Sequence, residues 1–122
     1  MSQHPQIDEE TQQKFHELQV LEQNIQSLLV QKQSSSMEFG ETSNALDEVR
    51  KSKNAIYKMV GSIMVVVDKE LTIKELEEKK KVLELRAESI SKQEKIFETK
   101  AQDLQQEIKK LLESKSPSEK KK

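Results

Sequence analysis

The sequence predicts a mainly α fold: two long helices in an antiparallel coiled coil, joined by a single β-hairpin. Three observations predict it. Leu18, Leu21, Ile25, Leu28, Lys32, Ser35, Phe39, Thr42, Leu46 and Val49 recur in alternating steps of three and four residues. Leu76, Lys80, Leu83, Ala87, Ile90, Glu94, Phe97, Ala101, Leu104, Ile108 and Leu111 repeat the same alternation. Between the two runs, Ala55 to Val67 is alternating, rich in β-branched residues and without helical period. An apolar stripe with a heptad repeat is buried only against another helix, so the two runs pair and the patch between them reverses the chain.

Each element has its own local signals. Residues 1–7 are expected to be disordered. The first helix is expected over 8–52, because Asp8-Glu9-Glu10 sets carboxylates against the positive end of the helix dipole and no proline interrupts the chain from there to Ser52. Its middle, Gln31-Lys32-Gln33-Ser34-Ser35-Ser36, puts lysine and serine on the stripe and is expected to pack loosely. The hairpin is expected over 55–68, with Gly61-Ser62 as a type II′ reversal that wants glycine first. Ile56, Lys58 and Val60 then share one face, and Tyr57 and Met59 the other. The second helix is expected over 72–114. Thr72 reads as its N-cap, Glu75 completes a capping box, and Leu71 and Leu76 are spaced as a hydrophobic staple. Residues 115–122, rich in lysine, form either a solvated tail or a weak electrostatic contact to a partner.

Folding about Gly61-Ser62 sets Leu46 near Leu76 and Lys80, Phe39 near Leu83 and Ala87, and Ile25 near Phe97 and Ala101. Lys32 falls opposite Ile90 and Glu94. That lysine and glutamate either fix the register at some cost in stability or both reach outward to water.

Composition narrows the function classes. Charged residues make up 35% of the 122, the hydrophobic class 33% and aromatics 3%, too little apolar volume for a compact globule of this length. Disordered chains share such totals but do not sustain a heptad, so long, solvent-exposed helices with a narrow seam are indicated. The 21 basic and 22 acidic residues are finely interspersed, which argues against the concentrated basic face that nucleic acid requires. The chain has no cysteine, so disulfides, thiolate metal sites and cysteine nucleophiles are excluded. Met1-Ser2-Gln3-His4-Pro5 lacks the basic and apolar stretches of a secretion signal, and no apolar run approaches the ~20 residues that span a bilayer. A cytoplasmic location with no membrane partner is expected.

Enzymatic chemistry finds no foothold. His4 and His16 have no third group to orient them, and Gly40 and Gly61, the only glycines, form no phosphate loop. Glu and Asp sit at helical spacings where ion pairing is the ordinary explanation. No catalytic residue, metal ligand or cofactor is therefore expected.

Two places carry interaction potential instead. Ile63-Met64-Val65-Val66-Val67 is apolar on both faces, and a lone two-stranded hairpin of that kind is marginal in water with its edges open. Packing on the chain's own helices would cover one face and leave the other. The hairpin residues Ile56, Tyr57, Met59, Val60, Ile63, Met64, Val65, Val66 and Val67 are accordingly expected to join several chains into a closed or near-closed sheet. At the opposite end of the coil lie Ile7, Phe15, Leu18, Leu104, Ile108, Leu111 and Leu112. They either grip other apolar surfaces as the helix ends fray or simply close the last turns of the coil.

Taken in order along the chain, these residues resemble the β-type subunit of prefoldin. The likeness covers residues 7 to 113 and rests on the helix–hairpin–helix plan. It rests also on Val30-Gln31-Lys32-Gln33, Ile56-Tyr57-Lys58 followed by Val60-Gly61, Glu70-Leu71-Thr72, Leu83-Glu84-Leu85-Arg86 and Lys92-Gln93-Glu94. One hairpin is present where the α-type subunit has two. Lys51-Ser52-Lys53-Asn54 departs from the acidic or proline-containing link common in relatives. The resemblance implies a hexamer of two α-type and four β-type subunits whose hairpins build an intersubunit β-barrel. It further implies an ATP-independent holdase that captures unfolded polypeptides at the coiled-coil tips and delivers them to a group II chaperonin. The competing reading is a structural coiled-coil scaffold or tether that dimerises through its hairpin.

Overall fold

The computed structural model describes residues 8–114; the expectations for 1–7, including Ile7, and for 115–122 lie outside them. The chain runs α1 (Glu9–Lys51), β1 (Ile56–Val60), β2 (Ile63–Val67) and α2 (Lys69–Ser114). At ~1.5 Å per residue, the 43 residues of α1 extend about 65 Å.

Asp8 is the N-cap of α1. Its Oδ1 accepts a hydrogen bond from the Thr11 amide at 3.0 Å, and its carbonyl accepts one from the Gln12 amide at 3.0 Å. The C-terminus is closed by a cation. Lys69 Nζ donates to the Ser52 carbonyl at 2.7 Å and to the Arg50 carbonyl at 3.4 Å. Those carbonyls lack intrahelical donors and carry the negative end of the dipole, so an ammonium suits them. Beyond the helix, Ser52 Oγ lies 3.3 Å from both the amide nitrogen and the carbonyl oxygen of Asn54, turning the link toward β1.

The start of α2 corrects the expectation. The helix begins at Lys69 rather than at 72, and Asp68 is the cap instead of Thr72. Asp68 Oδ2 accepts from the Leu71 amide at 2.8 Å, and the Asp68 carbonyl accepts from the Thr72 amide at 3.0 Å. Thr72, inside the first turn, donates its hydroxyl back to the same carbonyl at 2.7 Å. The physical reason is charge as well as geometry: a carboxylate accepts the orphan amide and also faces the positive dipole end.

The hairpin forms as expected about Gly61-Ser62. β1 and β2 pair antiparallel with Ile56 opposite Val67, Tyr57 opposite Val66, Lys58 opposite Val65, Met59 opposite Met64 and Val60 opposite Ile63. Gly61 has φ of +62° while Ser62 stays at negative φ. Positive φ at the first central residue alone fits type II′ and not type I′, which needs it at both.

The contacts divide the described residues into two units: 8–29 with 92–114, and Val30–Ser91. In the first unit, Thr11, Leu21, Leu28, Ala101 and Ile108 are buried, and Leu18, Ile25, Phe97, Leu104 and Leu111 are half-buried. In the second, Ser35, Thr42, Leu46, Leu83 and Ile90 are buried, with Leu46 and Leu83 each only 2% exposed. Thr42 is tolerated there because its hydroxyl donates to the Glu38 carbonyl at 2.8 Å. Lys32 and Ala87, both placed on the stripe by spacing, are exposed, whereas Glu94 is half-buried.

Register in the second unit is marked by polar contacts between the helices. The Glu38 carboxylate lies 3.5 Å from Lys79 Nζ and 3.7 Å from Arg86 Nη1, two cations a heptad apart on α2. Lys80, expected beside Leu46, lines a groove with it and also holds its ammonium 5.6 Å from the centroid of the Phe39 ring. Arg50 pairs with Glu77 nearer the hairpin. These side chains are about half exposed, so each pair contributes well under ~1 kcal/mol. They mark which turns of the two helices face each other in this unit.

Candidate functional site

The hairpin residues and the apolar residues near the helix ends, the two sets with interaction potential, are placed very differently by the structure. The hairpin set forms one continuous surface. Alternation and the observed pairing put Tyr57, Met59, Met64 and Val66 on one face, and Ile56, Lys58, Val60, Ile63, Val65 and Val67 on the other. The first face is open throughout, with Met59 67%, Met64 64% and Val66 65% exposed. On the second face only Ile56 and Val67 are half-buried; Val60, Ile63 and Val65 are exposed. The sheet has two strands, so β1 and β2 each keep one edge without a neighbouring strand among the described residues.

Strands of this composition form because β-branched side chains fit a pleated surface, and Gly61 supplies the turn. What they lack is a cover. Contiguous exposed apolar surface flanked by open edges is a docking surface or an aggregation hazard. Lys58, the one charged residue between Ile56 and Val67, sits in the middle of β1 and is absent from the set that sequence reasoning marks. The signal that could have found it is its isolation among apolar neighbours.

The second set belongs to the first unit and is split by burial. Phe15 and Leu112 are each 42% exposed, Leu18, Leu104 and Leu111 are half-buried, and Ile108 is buried at 5%. Ile108 therefore closes the helix pair, while Phe15 and Leu112 are open to a ligand without any rearrangement. Val20, also absent from the sequence-derived set, joins Leu21 and Leu104 in a shallow groove of about 540 Å³. Lys14 and Glu107 stand on the same groove, 2.7 Å apart. The hydrogen bond to Glu107 holds the Lys14 ammonium above its ordinary pKa of 10.5; Glu107, Glu17 and Glu10 add attraction, and burial opposes them.

Among the described residues, no group of three or more His, Asp or Glu side chains is placed to hold a metal ion. No helix of the described residues is long and apolar enough to cross a membrane.

Comparison with known proteins agrees with this architecture. The family model described as prefoldin subunit matches residues 10–115. The prefoldin subunit beta of Sulfurisphaera tokodaii is 35% identical over 108 residues, covering 87% of this chain and 86% of that protein. The prefoldin subunit beta of Thermococcus onnurineus is 34% identical over 108 residues, covering 87% and 93%. The crystal structure of the prefoldin beta subunit from Thermococcus strain KS-1 superposes with a TM-score of 0.77 at 30% identity, covering 88% of this chain and 96% of that one. With one hairpin between two long helices and likeness along nearly its whole length, the chain belongs to the prefoldin subunit family, as a member of its β type.

Proposed function

We infer that this chain is one subunit of an ATP-independent chaperone that captures unfolded polypeptides and delivers them to a group II chaperonin. The observation that carries the reading is the hairpin, exposed from Tyr57 to Val66 and, apart from Lys58 and the Gly61-Ser62 turn, apolar on both faces. Such a surface is stable in water only when other strands cover it. Prefoldin-type partners, an α-type subunit together with further β-type copies, are the natural cover, in a hexamer of two α-type and four β-type subunits.

Clients are assigned to the helix ends of the first unit. Exposed Phe15 and Leu112, with half-buried Leu18, Leu104 and Leu111 behind them, offer apolar contact without sequence preference. Ile7 completes the set and Ile108 contributes only if the helix ends part. Holding a client this way consumes no nucleotide and calls for no catalytic residue, in keeping with a non-enzymatic chaperone family. The particle works in the cytoplasm.

The test mixes the purified chain with an α-type prefoldin subunit, measures mass by light scattering and assays aggregation of a denatured protein. A stable hexamer that suppresses aggregation without nucleotide is expected. A passive dimer with no protective effect would establish the scaffold reading instead.

A further inference from the structure

We propose that Lys58 makes the β1 edge selective for a strand from a non-identical subunit, one that carries an aspartate or glutamate opposite it. This rests on the reading of the hairpin as the assembly surface. Lys58 is the midpoint of β1, and its cross-strand neighbour on the inner side is Val65. Ile56 and Val60 flank it on the same face, so its ammonium is the single charge in an apolar field.

Consider how a second copy of this chain would meet that edge. Two β1 strands paired antiparallel with full overlap bring Lys58 directly opposite Lys58, because 58 is the centre of Ile56–Val60. Like charges at directly opposed positions are destabilising. Alternatively, the β2 edge of another copy could pair with β1. That avoids the repulsion but places the ammonium among the apolar residues Ile63 to Val67 with nothing to neutralise it. Removing a charge from water without a counterion is costly.

This chain has no carboxylate to offer. Residues 55–67 contain no Asp or Glu, and Asp68, next along, is engaged as the cap of α2 through the Leu71 amide. The β2 edge, centred on Val65, carries no charge at all and has no such preference. The two edges therefore differ: β1 rejects its own kind and rewards an acidic strand, whereas β2 accepts any apolar strand. A lysine on an edge strand guards against indiscriminate pairing, and a carboxylate opposite converts the guard into a selector.

The experiment uses the full chain mixed with an α-type prefoldin subunit and a zero-length carbodiimide cross-linker, with linked peptides identified by mass spectrometry. An amide bond between Lys58 and an Asp or Glu of the α-type strand is expected. Lys58→Glu should weaken assembly by roughly tenfold or more, and exchanging the linked carboxylate for lysine should restore it. Lys58→Met should self-associate more than the parent chain, read by sedimentation. Val65→Asp serves as the control for the assembly surface. If Val65→Asp dissociates the complex while Lys58→Glu assembles like the parent, the selector role is overturned and the assembly surface stands. A Lys58 cross-link to another copy of this chain overturns it equally. If neither substitution affects assembly, or no complex forms, the assembly reading fails first and the selector with it.

Discussion

Asp68 shows how one side chain sets an element boundary. Its carboxylate takes the Leu71 amide while its carbonyl takes the Thr72 amide, so the first turn of α2 is organised around it. Asp68→Ala should lower the unfolding free energy by about 1 kcal/mol, and Asp68→Asn by less because the hydrogen bond survives and only the charge–dipole attraction is lost. Urea titration followed by circular dichroism decides this; equal losses for both variants would mean that charge dominates. Thr72 looks the better cap in sequence because Glu75 stands at capping-box spacing from it, whereas Asp68 has Leu71 at that position. A motif was legible, but the residue nearer the strand end had already taken the amides. Lys14 gives a second prediction at this scale. Its pKa is raised, chiefly by the hydrogen bond to Glu107, so its contribution to stability is fully present below pH 10.5 and is lost as pH rises through the higher folded value. The parent chain should therefore lose its advantage over Lys14→Met only at strongly alkaline pH, as measured by thermal unfolding across a pH series. An advantage that vanished near neutrality would show the pair to be without effect.

At the scale of elements, the heptad stripe and the residues beside it separate by burial. Leu83 is 2% exposed and Leu85, on the same helix, 66%. Leu83→Ala should cost roughly 2–4 kcal/mol and Leu85→Ala no more than about 0.5 kcal/mol, since only the former leaves a cavity. Denaturant midpoints of the two variants provide the check, and similar shifts would refute the assignment of the seam. The stripe itself was legible because helical periodicity is written in residue type. Its membership was less so: Thr11 is buried at 1% although spacing singles out only residues from Leu18 onward, while Lys32 and Ala87 are exposed. Burial at these places depends on what the facing helix presents. The hairpin was the most legible element, since alternation, β-branching and a leading glycine all act within a few residues. Lys58 is harder to read because its importance comes from its pairing with Val65 and from the open edge beside it.

At the scale of the whole molecule, assembly and client capture should be separable. Removing residues 1–15 and 111–122 deletes Ile7, Phe15, Leu111 and Leu112 and leaves β1 and β2 intact. This truncated chain should still assemble with an α-type subunit but lose protection of a denatured client, measured by light scattering and an aggregation assay on the same samples. Protection unchanged by truncation would move client binding to the helix flanks, where Val20 and Leu104 line a groove. Of the candidate client residues, Phe15 and Leu112 lie off the stripe in sequence and are open in the structure, whereas Ile108 lies on the stripe and is buried. Ile108 is buried because it faces inward at its own turn of the stripe, a matter of packing that apolar character alone does not reveal.

By itself the sequence determined two heptad-patterned helices, the strand pair between them and a glycine-led reversal, because each arises from chemistry repeated or adjacent along the chain. Tertiary structure alone decided which acid caps α2, which cation closes α1, and how Glu38 spans Lys79 and Arg86 to mark the register. Those outcomes depend on where groups meet in space, and periodicity says that a partner helix exists without saying which of its residues will stand opposite.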